Sequence, residues 1–189
     1  MEESQIDELE VADVRIPMTK AEFLKWNPDG GFLYEYDGAY AEQIHALQNT
    51  ERYLVRNIQD AFVSTAAYQL RTRLFEETEC WVTDKQMRRP DVALFTDAQI
   101  RESTAGGNPV PAFVIEIISE HDKANKIERK VGEYFRAGVQ VLWHVYPELR
   151  MVRMLLSPRN LVSLFETDVI SAAPVLPDLQ MTVDGLFAQ

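Results

Sequence analysis

A single cysteine, Cys80, and only three histidines are present among the 189 residues of the chain. One cysteine excludes an internal disulfide, and His45, His121 and His144 lie too far apart in the sequence to form a zinc cluster. This composition is typical of a reducing compartment, so we expect a cytoplasmic protein. Cys80 is a weak candidate for a nucleophile, because a lone cysteine is more often a packed core residue.

Long hydrophobic runs and glycine-rich phosphate loops are also lacking. No segment approaches the about 20 apolar residues of a transmembrane helix, and the first residues are acidic where a signal peptide would be basic and then apolar. We therefore expect no membrane association. The pair Gly106-Gly107 is too short to indicate a phosphate-binding loop.

Basic residues are outnumbered, 19 against 30 acidic ones, which gives a formal net charge of −11. This balance argues against broad, non-specific binding of nucleic acid. Six acidic residues precede the first basic residue, Arg15, so residues 1–14 are predicted to be a flexible acidic arm and residues 15–189 a single domain. A local basic surface remains compatible with the sequence. Its expected members are Arg71, Arg73, Lys85, Arg88, Arg89 and the basic residues of the range 123–136.

Several local patterns predict secondary structure in the first half of the chain. Thr19 and Glu22 have the spacing of a capping box at the start of a short helix. Asp37-Gly38 predicts a tight hairpin turn between two strands. Apolar residues at helical spacing predict one long helix over residues 47–70, and the Gly- and Pro-containing range 97–111 is predicted to be a loop.

The second half of the chain shows a strand, helix and strand in sequence. Apolar runs at 112–119 and 141–146 are typical of buried strands, and the range 123–137 has the period of an amphipathic helix that stops at Gly138. This order predicts two parallel strands joined by a helical crossover. A meander of shorter strands is expected to follow.

A lone carboxylate, Glu116, interrupts the apolar run from Ala112 to Ser119. A buried carboxylate without a partner cannot be solvated, so it normally becomes neutral, forms an ion pair or binds a metal. The pattern therefore indicates a metal site, with a salt bridge to an arginine as the open alternative.

Asp91 and Lys130 lie on the elements before and after Glu116. Asp91 opens an apolar strand, although a Pro-Asp pair is also typical of turns. Lys130 borders the apolar stripe of the predicted helix, where its stem can follow the core while its ammonium reaches past the helix; a solvated helix face is the alternative. Two carboxylates and a lysine in this order predict a divalent-cation site suited to hydrolysis of a phosphodiester. Glu35, on the predicted hairpin, is expected from its pattern to be exposed.

These motifs together resemble the bacterial Uma-type restriction endonucleases of the PD-(D/E)XK nuclease superfamily. The resemblance runs from about Ile16 onward and is most specific from Glu116 to Trp143. Its segments are EFLKW, YEYDG, RRPDVALF, PAFVIEIISE, KIERKVGEYFRAGVQVLWHVYPELRMVRM and VLPDLQMTVDGLF.

The resemblance implies a restriction-endonuclease-like core of the α/β (α+β) class, with a mixed β-sheet flanked by helices. It implies that Asp91 and Glu116 bind Mg²⁺ or Mn²⁺, and that Lys130 and Glu35 complete the catalytic set. The superfamily pattern places the lysine two residues after the glutamate, where this chain has Ile118. The Uma-type pattern takes its lysine from the following helix instead.

The hypothesis that follows is a metal-dependent endonuclease that hydrolyses DNA. One alternative is a catalytically silent binding or regulatory domain of the same fold, which the acidic net charge favours. Another is hydrolysis of a smaller phosphodiester or nucleotide. DNA is the expected partner, and a homodimer is the assembly to test.

Overall fold

A computed structural model of the protein describes residues 14–120 and 122–189. The predicted acidic arm therefore lies outside the described residues, apart from its last residue. The strands within the described residues are β1 (Arg15–Pro17), β2 (Leu33–Tyr36), β3 (Tyr40–Ile44), β4 (Arg73–Glu76), β5 (Cys80–Trp81), β6 (Met87–Arg88), β7 (Val92–Phe95), β8 (Phe113–Ile117), β9 (Val141–Tyr146), β10 (Met151–Ser157), β11 (Asn160–Phe165), β12 (Val169–Ala172) and β13 (Leu176–Thr182). The helices are α1 (Lys20–Phe23), α2 (Arg52–Phe62), α3 (Ala66–Gln69), α4 (Asp97–Thr104), α5 (Ala124–Ala137) and α6 (Val183–Leu186).

The central sheet has six strands in the order β11-β10-β9-β8-β7-β4. β8 and β9 are parallel and are joined through α5, whereas the other neighbours are antiparallel. This confirms the predicted crossover and the predicted mixed sheet flanked by helices. A parallel pair has to be covered on both faces, which explains why every residue of β8 is buried.

Alternate residues of β8 point to two separate hydrophobic clusters. Phe113, Ile115 and Ile117 pack in the cluster that contains α2, β13 and α6. Val114 packs on the opposite face, in the cluster that contains Val131 of α5. Glu116 shares the face of Val114, so its carboxylate lies on the side of the sheet that α5 covers.

The smaller sheet, in the order β1-β3-β2-β6-β5, contains the predicted hairpin. Asp37 Oδ1 accepts hydrogen bonds from the backbone N–H groups of Ala39 (2.9 Å) and Tyr40 (2.7 Å), which fixes the turn between β2 and β3. β2 continues into the sheet by pairing with β6 at Tyr36 and Met87. Glu35 of β2 is therefore held in place by the hairpin and by β6.

Helix α1 begins as the sequence predicts. Thr19 and Glu22 form both hydrogen bonds of a capping box. Phe23 at the end of the helix stacks on Tyr36, with ring centroids 4.9 Å apart. The short helix thus covers one side of the hairpin.

Two predictions of secondary structure are wrong. The range 47–70 contains α2 and α3 rather than one helix. α2 ends at Phe62, and Thr65 caps α3 by accepting a hydrogen bond from Tyr68 N. The range 97–111 contains α4, which Thr96 and Gln99 start with a capping box. The glycines that suggested a loop lie after this helix. None of the helices in the described part of the chain is long and apolar enough to cross a membrane.

Gly138 ends α5 in the left-handed region, with φ at 114°. We predict that Gly138→Ala lowers the free energy of unfolding by about 1 kcal/mol, because nothing but backbone strain opposes the added methyl group. Gly132→Ala, inside the same helix, should raise it by about 0.5 kcal/mol, since only the flexible end of Arg136 lies near the new Cβ. Urea unfolding measures both. If both substitutions changed the free energy of unfolding equally, the assigned end of α5 at Gly138 would be contradicted.

Candidate active site

One row of polar side chains crosses the central sheet on the face covered by α5. Glu116 of β8 is paired with His144 of β9, and His144 is paired with Arg153 of β10. Val92 of β7 is paired with Ile115, so Asp91, one residue earlier in the same register, lies beside Glu116. The sheet thus brings Asp91 and Glu116 together although 25 positions separate them.

Lys130 of α5 reaches this row from above. Its Nζ lies 2.8 Å from Glu35 Oε1 and 3.4 Å from Glu116 Oε2. The Lys130 side chain is 24% exposed, so its stem follows the core while its ammonium faces the site. The two carboxylates outweigh the effect of burial and raise the pKa of Lys130. The amine is therefore a fixed positive charge.

Asp91 is held by the backbone of the neighbouring strand, because its Oδ2 accepts a hydrogen bond from Ile117 N (2.6 Å). Burial of its carboxyl group, together with the negative charge of Glu116, raises the pKa of Asp91 well above its usual range. The charged form of Asp91 is consequently unfavourable unless a cation joins the site.

Glu116 is 6% exposed and forms no ion pair with an arginine of the described residues. Tyr134 OH donates a short hydrogen bond to its Oε1, and Lys130 donates to its Oε2. Burial raises the pKa of Glu116; Lys130 opposes this shift and Glu35 adds to it. The sequence left open a salt bridge between Glu116 and an arginine. In the structure, Tyr134 and Lys130 orient the carboxylate instead.

Glu35 is 2% exposed, so the expectation of an exposed hairpin glutamate is wrong. It accepts hydrogen bonds from Lys130, from Arg88 Nη1 (3.2 Å) and from the backbone N–H of Arg89 (3.1 Å). Burial alone would raise the pKa of Glu35, but Lys130 and Arg88 lower it overall. Glu35 therefore remains ionised and holds the lysine in place.

Arg88 links Glu35 to a further buried acid, Glu133 of α5, through its Nε at 2.7 Å. With 3% exposure, Arg88 contributes nothing to a basic surface, contrary to the sequence expectation. The reason is that both of its carboxylate partners lie inside the protein. The sequence does not reveal Glu133 and Arg88 as site residues, because a charged residue on a helix or beside a turn normally faces solvent.

The site carries more acids than bases. Its ionisable carboxyl and cationic groups are those of Asp91, Glu116, Glu35, Glu133, Lys130 and Arg88. When all are ionised, four negative charges face two positive ones. One divalent cation would balance this excess, and the adjacent carboxylates of Asp91 and Glu116 are hard oxygen ligands suited to Mg²⁺ or Mn²⁺.

Over residues 14–120 and 122–189, no group of three or more His, Cys, Asp or Glu side chains is arranged to hold a metal ion. Mg²⁺ does not require one, since it commonly binds through one or two carboxylates and takes water and substrate phosphates as its other ligands. The residues present therefore fit a magnesium ion held by Asp91 and Glu116.

Cys80 is buried behind the site and does not act as a nucleophile there. Burial, with added repulsion from Glu116 and Glu35, raises the pKa of the Cys80 thiol to about 12. At neutral pH the thiol stays protonated and unreactive.

His144 lies in the polar row, although the sequence analysis did not include it among the site residues. It interrupts the apolar strand Val141–Tyr146 just as Glu116 interrupts β8, so the same sequence signal could have found it. Burial and the nearby positive charges of Arg153 and Lys130 lower its pKa to about 4, and the imidazole is neutral.

Comparison with known proteins identifies the family. A family model described as "Putative restriction endonuclease", Uma2, matches residues 21–184. The chain belongs to the Uma2 family. This confirms the resemblance found in the sequence. A search among curated proteins gave no match.

Among solved structures, the chain is similar to a crystal structure described as a putative nuclease belonging to DUF820 from Anabaena variabilis. The two share 21% sequence identity, with a TM-score of 0.76 over 90% of this chain and 98% of the other. At this identity the match establishes a shared fold. It agrees with the predicted α/β class, in which a mixed sheet is flanked by helices.

Within this Uma2 chain the lysine reaches the site from α5 rather than from β8. Ile118, at the position where the superfamily pattern has its lysine, is 8% exposed and cannot supply a charge. Lys130 places its ammonium within 3.4 Å of Glu116 from the helix. Lys130 thus supplies from α5 the amine that Ile118 cannot supply.

The raised pKa of Asp91 predicts a pH-dependent stability in EDTA. Because the folded state binds the Asp91 proton more tightly than the unfolded state, the stability contribution is present at low pH and is lost as the pH rises above about 4. We predict that Asp91→Asn is more stable than the unsubstituted protein at pH 8 and loses less stability between pH 5 and pH 8. Urea unfolding at both pH values measures this.

Asp60→Asn is the matched control, since Asp60 is exposed on α2. It should leave the pH dependence unchanged. If Asp91→Asn and Asp60→Asn change the stability alike at both pH values, the buried Asp91 carboxylate does not destabilise the folded state at high pH as expected.

Proposed function

We propose that this protein is a Mg²⁺- or Mn²⁺-dependent endonuclease that hydrolyses phosphodiester bonds in DNA. The observation that carries the proposal is the convergence of Asp91 and Glu116 on one row, with Lys130 Nζ 3.4 Å from Glu116. Membership of a family described as putative restriction endonucleases supports it. The shared fold with a protein from Anabaena variabilis that is described as a putative nuclease agrees with it.

When bound, the cation would supply a Lewis acid for the phosphate and a lowered pKa for the attacking water. Asp91 and Glu116 would hold it. The Ile117 amide fixes one oxygen of Asp91, and Tyr134 fixes one oxygen of Glu116, so the remaining oxygens are oriented before the cation arrives.

Lys130 would stabilise the negative charge that develops on the phosphate oxygens during attack. Glu35 holds the ammonium at 2.8 Å, and Arg88 holds Glu35, so the amine is positioned by a chain of charge-assisted hydrogen bonds. A lysine held in this way does not need to reorganise as the charge forms.

A catalytically silent binding domain of the same fold is the second candidate, and the net charge of −11 favours it. Against it stands the cost of the site. Burying four carboxylates with two cations destabilises the fold, and a fold that only binds has no evident use for this arrangement.

Cleavage of supercoiled plasmid and of single-stranded DNA and RNA, with Mg²⁺, Mn²⁺ or EDTA, tests the proposal. We predict metal-dependent cleavage of DNA, a loss of about 10²- to 10³-fold for Lys130→Met, and a comparable or larger loss for Glu116→Gln. Arg129→Met is the matched control, because Arg129 is the exposed neighbour of Lys130 on α5. It should retain most of the activity.

Circular dichroism and thermal unfolding of each variant separate lost chemistry from lost folding. Binding of DNA without cleavage under any metal would favour the binding domain. Hydrolysis of bis(p-nitrophenyl) phosphate with no action on DNA or RNA would favour a small phosphodiester as substrate. Cleavage that persists in EDTA and in Glu116→Gln would overturn the assigned site.

A further inference from the structure

The polar row has two ends of opposite character. Asp91 and Glu116 form its acidic end, and His144 and Arg153 continue it across the next two strands. Neighbouring strands lie about 4.8 Å apart, so the backbone of Arg153 is about 10 Å from that of Glu116. The proposed hydrolysis uses the acidic end and Lys130, and it leaves the other end without a role.

Two buried nitrogen atoms at this other end have no hydrogen-bond partner within the described residues. They are His144 Nδ1 and Arg153 Nε, on directly opposite residues of β9 and β10. His144 is 1% exposed. Buried polar atoms are nearly always paired, so an ordered water or a bound group is expected to pair these two nitrogens.

Arg153 connects this buried pair to the surface. Its guanidinium lies over the ring of Tyr146, 5.5 Å from the centroid, and its Nη1 is 3.7 Å from the largely exposed carboxylate of Glu128. The Arg153 side chain is 29% exposed. Its partner Glu128 forms a long contact in solvent, which is weak and can be exchanged for a stronger anion.

An apolar row lies next to the polar row on the same face of the sheet. Its packed side chains prevent the polar side chains from turning toward it. Val114, Leu142 and Leu155 belong to the same face as Glu116, His144 and Arg153, two positions away along their strands, and pack in the cluster that contains Val131 of α5. The polar row therefore lies beside an apolar row on the face that α5 covers. Arg153 in this row and Lys130 beside it each keep part of their side chain exposed.

We infer that Arg153, which is paired with His144 on the neighbouring strand, binds a phosphate of the nucleic-acid backbone that lies next to the scissile phosphate. The inference rests on the proposed function. A guanidinium presents parallel N–H donors that match phosphate oxygens, and the Arg153 side chain is exposed enough to present them at the surface. A strand placed along the row would have its reacting phosphate at the carboxylates and Lys130, and the adjacent phosphate at the cationic end.

Local cations of this kind are needed because the protein as a whole repels DNA. With a net charge of −11, long-range attraction of a polyanion is absent, and binding depends on contacts made at short range. Arg153 is therefore a specificity contact for a phosphodiester chain, in contrast to a single small phosphate ester that would occupy only the acidic end.

The test measures binding apart from cleavage. A fluorescein-labelled DNA of about 12 nucleotides, a length within the usual site size for a single strand, is titrated in EDTA, so that turnover plays no part. A series of such DNAs carries one neutral methylphosphonate at successive positions. We expect one methylphosphonate position to weaken binding of the unsubstituted protein about 10-fold. Arg153→Met should bind the normal DNA about 10-fold more weakly and be insensitive to that same methylphosphonate.

Three further variants sharpen the result. Arg153→Lys keeps the charge but loses the paired donors, so its affinity should fall between the two. His144→Phe should weaken binding less than Arg153→Met, because the buried His144 acts on the phosphate only through the position of Arg153. Arg159→Met removes the same charge from the exposed β10–β11 turn and should change affinity less than about 2-fold, since a contact-free surface charge acts only through screened, long-range attraction.

The outcomes are distinct from those of the cleavage assay. If the loss of affinity caused by one methylphosphonate disappears in Arg153→Met, the phosphate contact is supported, even if no metal ion gives cleavage of DNA. Equal affinities of Arg153→Met and Arg159→Met, or no phosphate position that depends on Arg153, would overturn it even if cleavage is observed. Undetectable binding of DNA by the unsubstituted protein would overturn it as well, and an ordered water would then be the group that pairs the two nitrogens.

Discussion

The ammonium of Lys130 is the interaction on which the site depends. It lies between Glu35, which comes from the small sheet, and Glu116, which comes from the central sheet, while its own backbone belongs to α5. Three parts of the fold that are distant in sequence therefore meet at one positive charge. Because charge-assisted contacts of this kind are directional, the position of α5 over the sheet and the geometry of the site are fixed together.

The negative excess around this lysine explains why the site is both costly and informative. Arg88 and Lys130 balance two of the four carboxylates, and Asp91 and Glu116 are left with raised pKa values. A purely structural core would replace such groups by apolar ones, because an incompletely balanced ion cluster is destabilising. This excess of negative charge supports the proposed divalent cation, which would balance it.

The sequence predicts the elements that depend on local chemistry. The capping box at Thr19, the turn at Asp37 and the left-handed end of α5 at Gly138 each follow from short-range hydrogen bonding or backbone sterics, and the structure has all three. The lone Glu116 in an apolar run was also visible, because burial of a strand on both faces leaves a carboxylate no local water.

The parts that the sequence could not supply depend on packing between distant elements. The burial of Glu35 requires the small sheet to dock beside α5, and nothing in the pattern of a hairpin reveals which of its faces will be covered. The ion pair of Arg88 with Glu133 joins residues 45 positions apart, each of which resembles a solvated charge. His144 and Arg153 matter only because register places them in one row with Glu116, and register is fixed by the whole sheet.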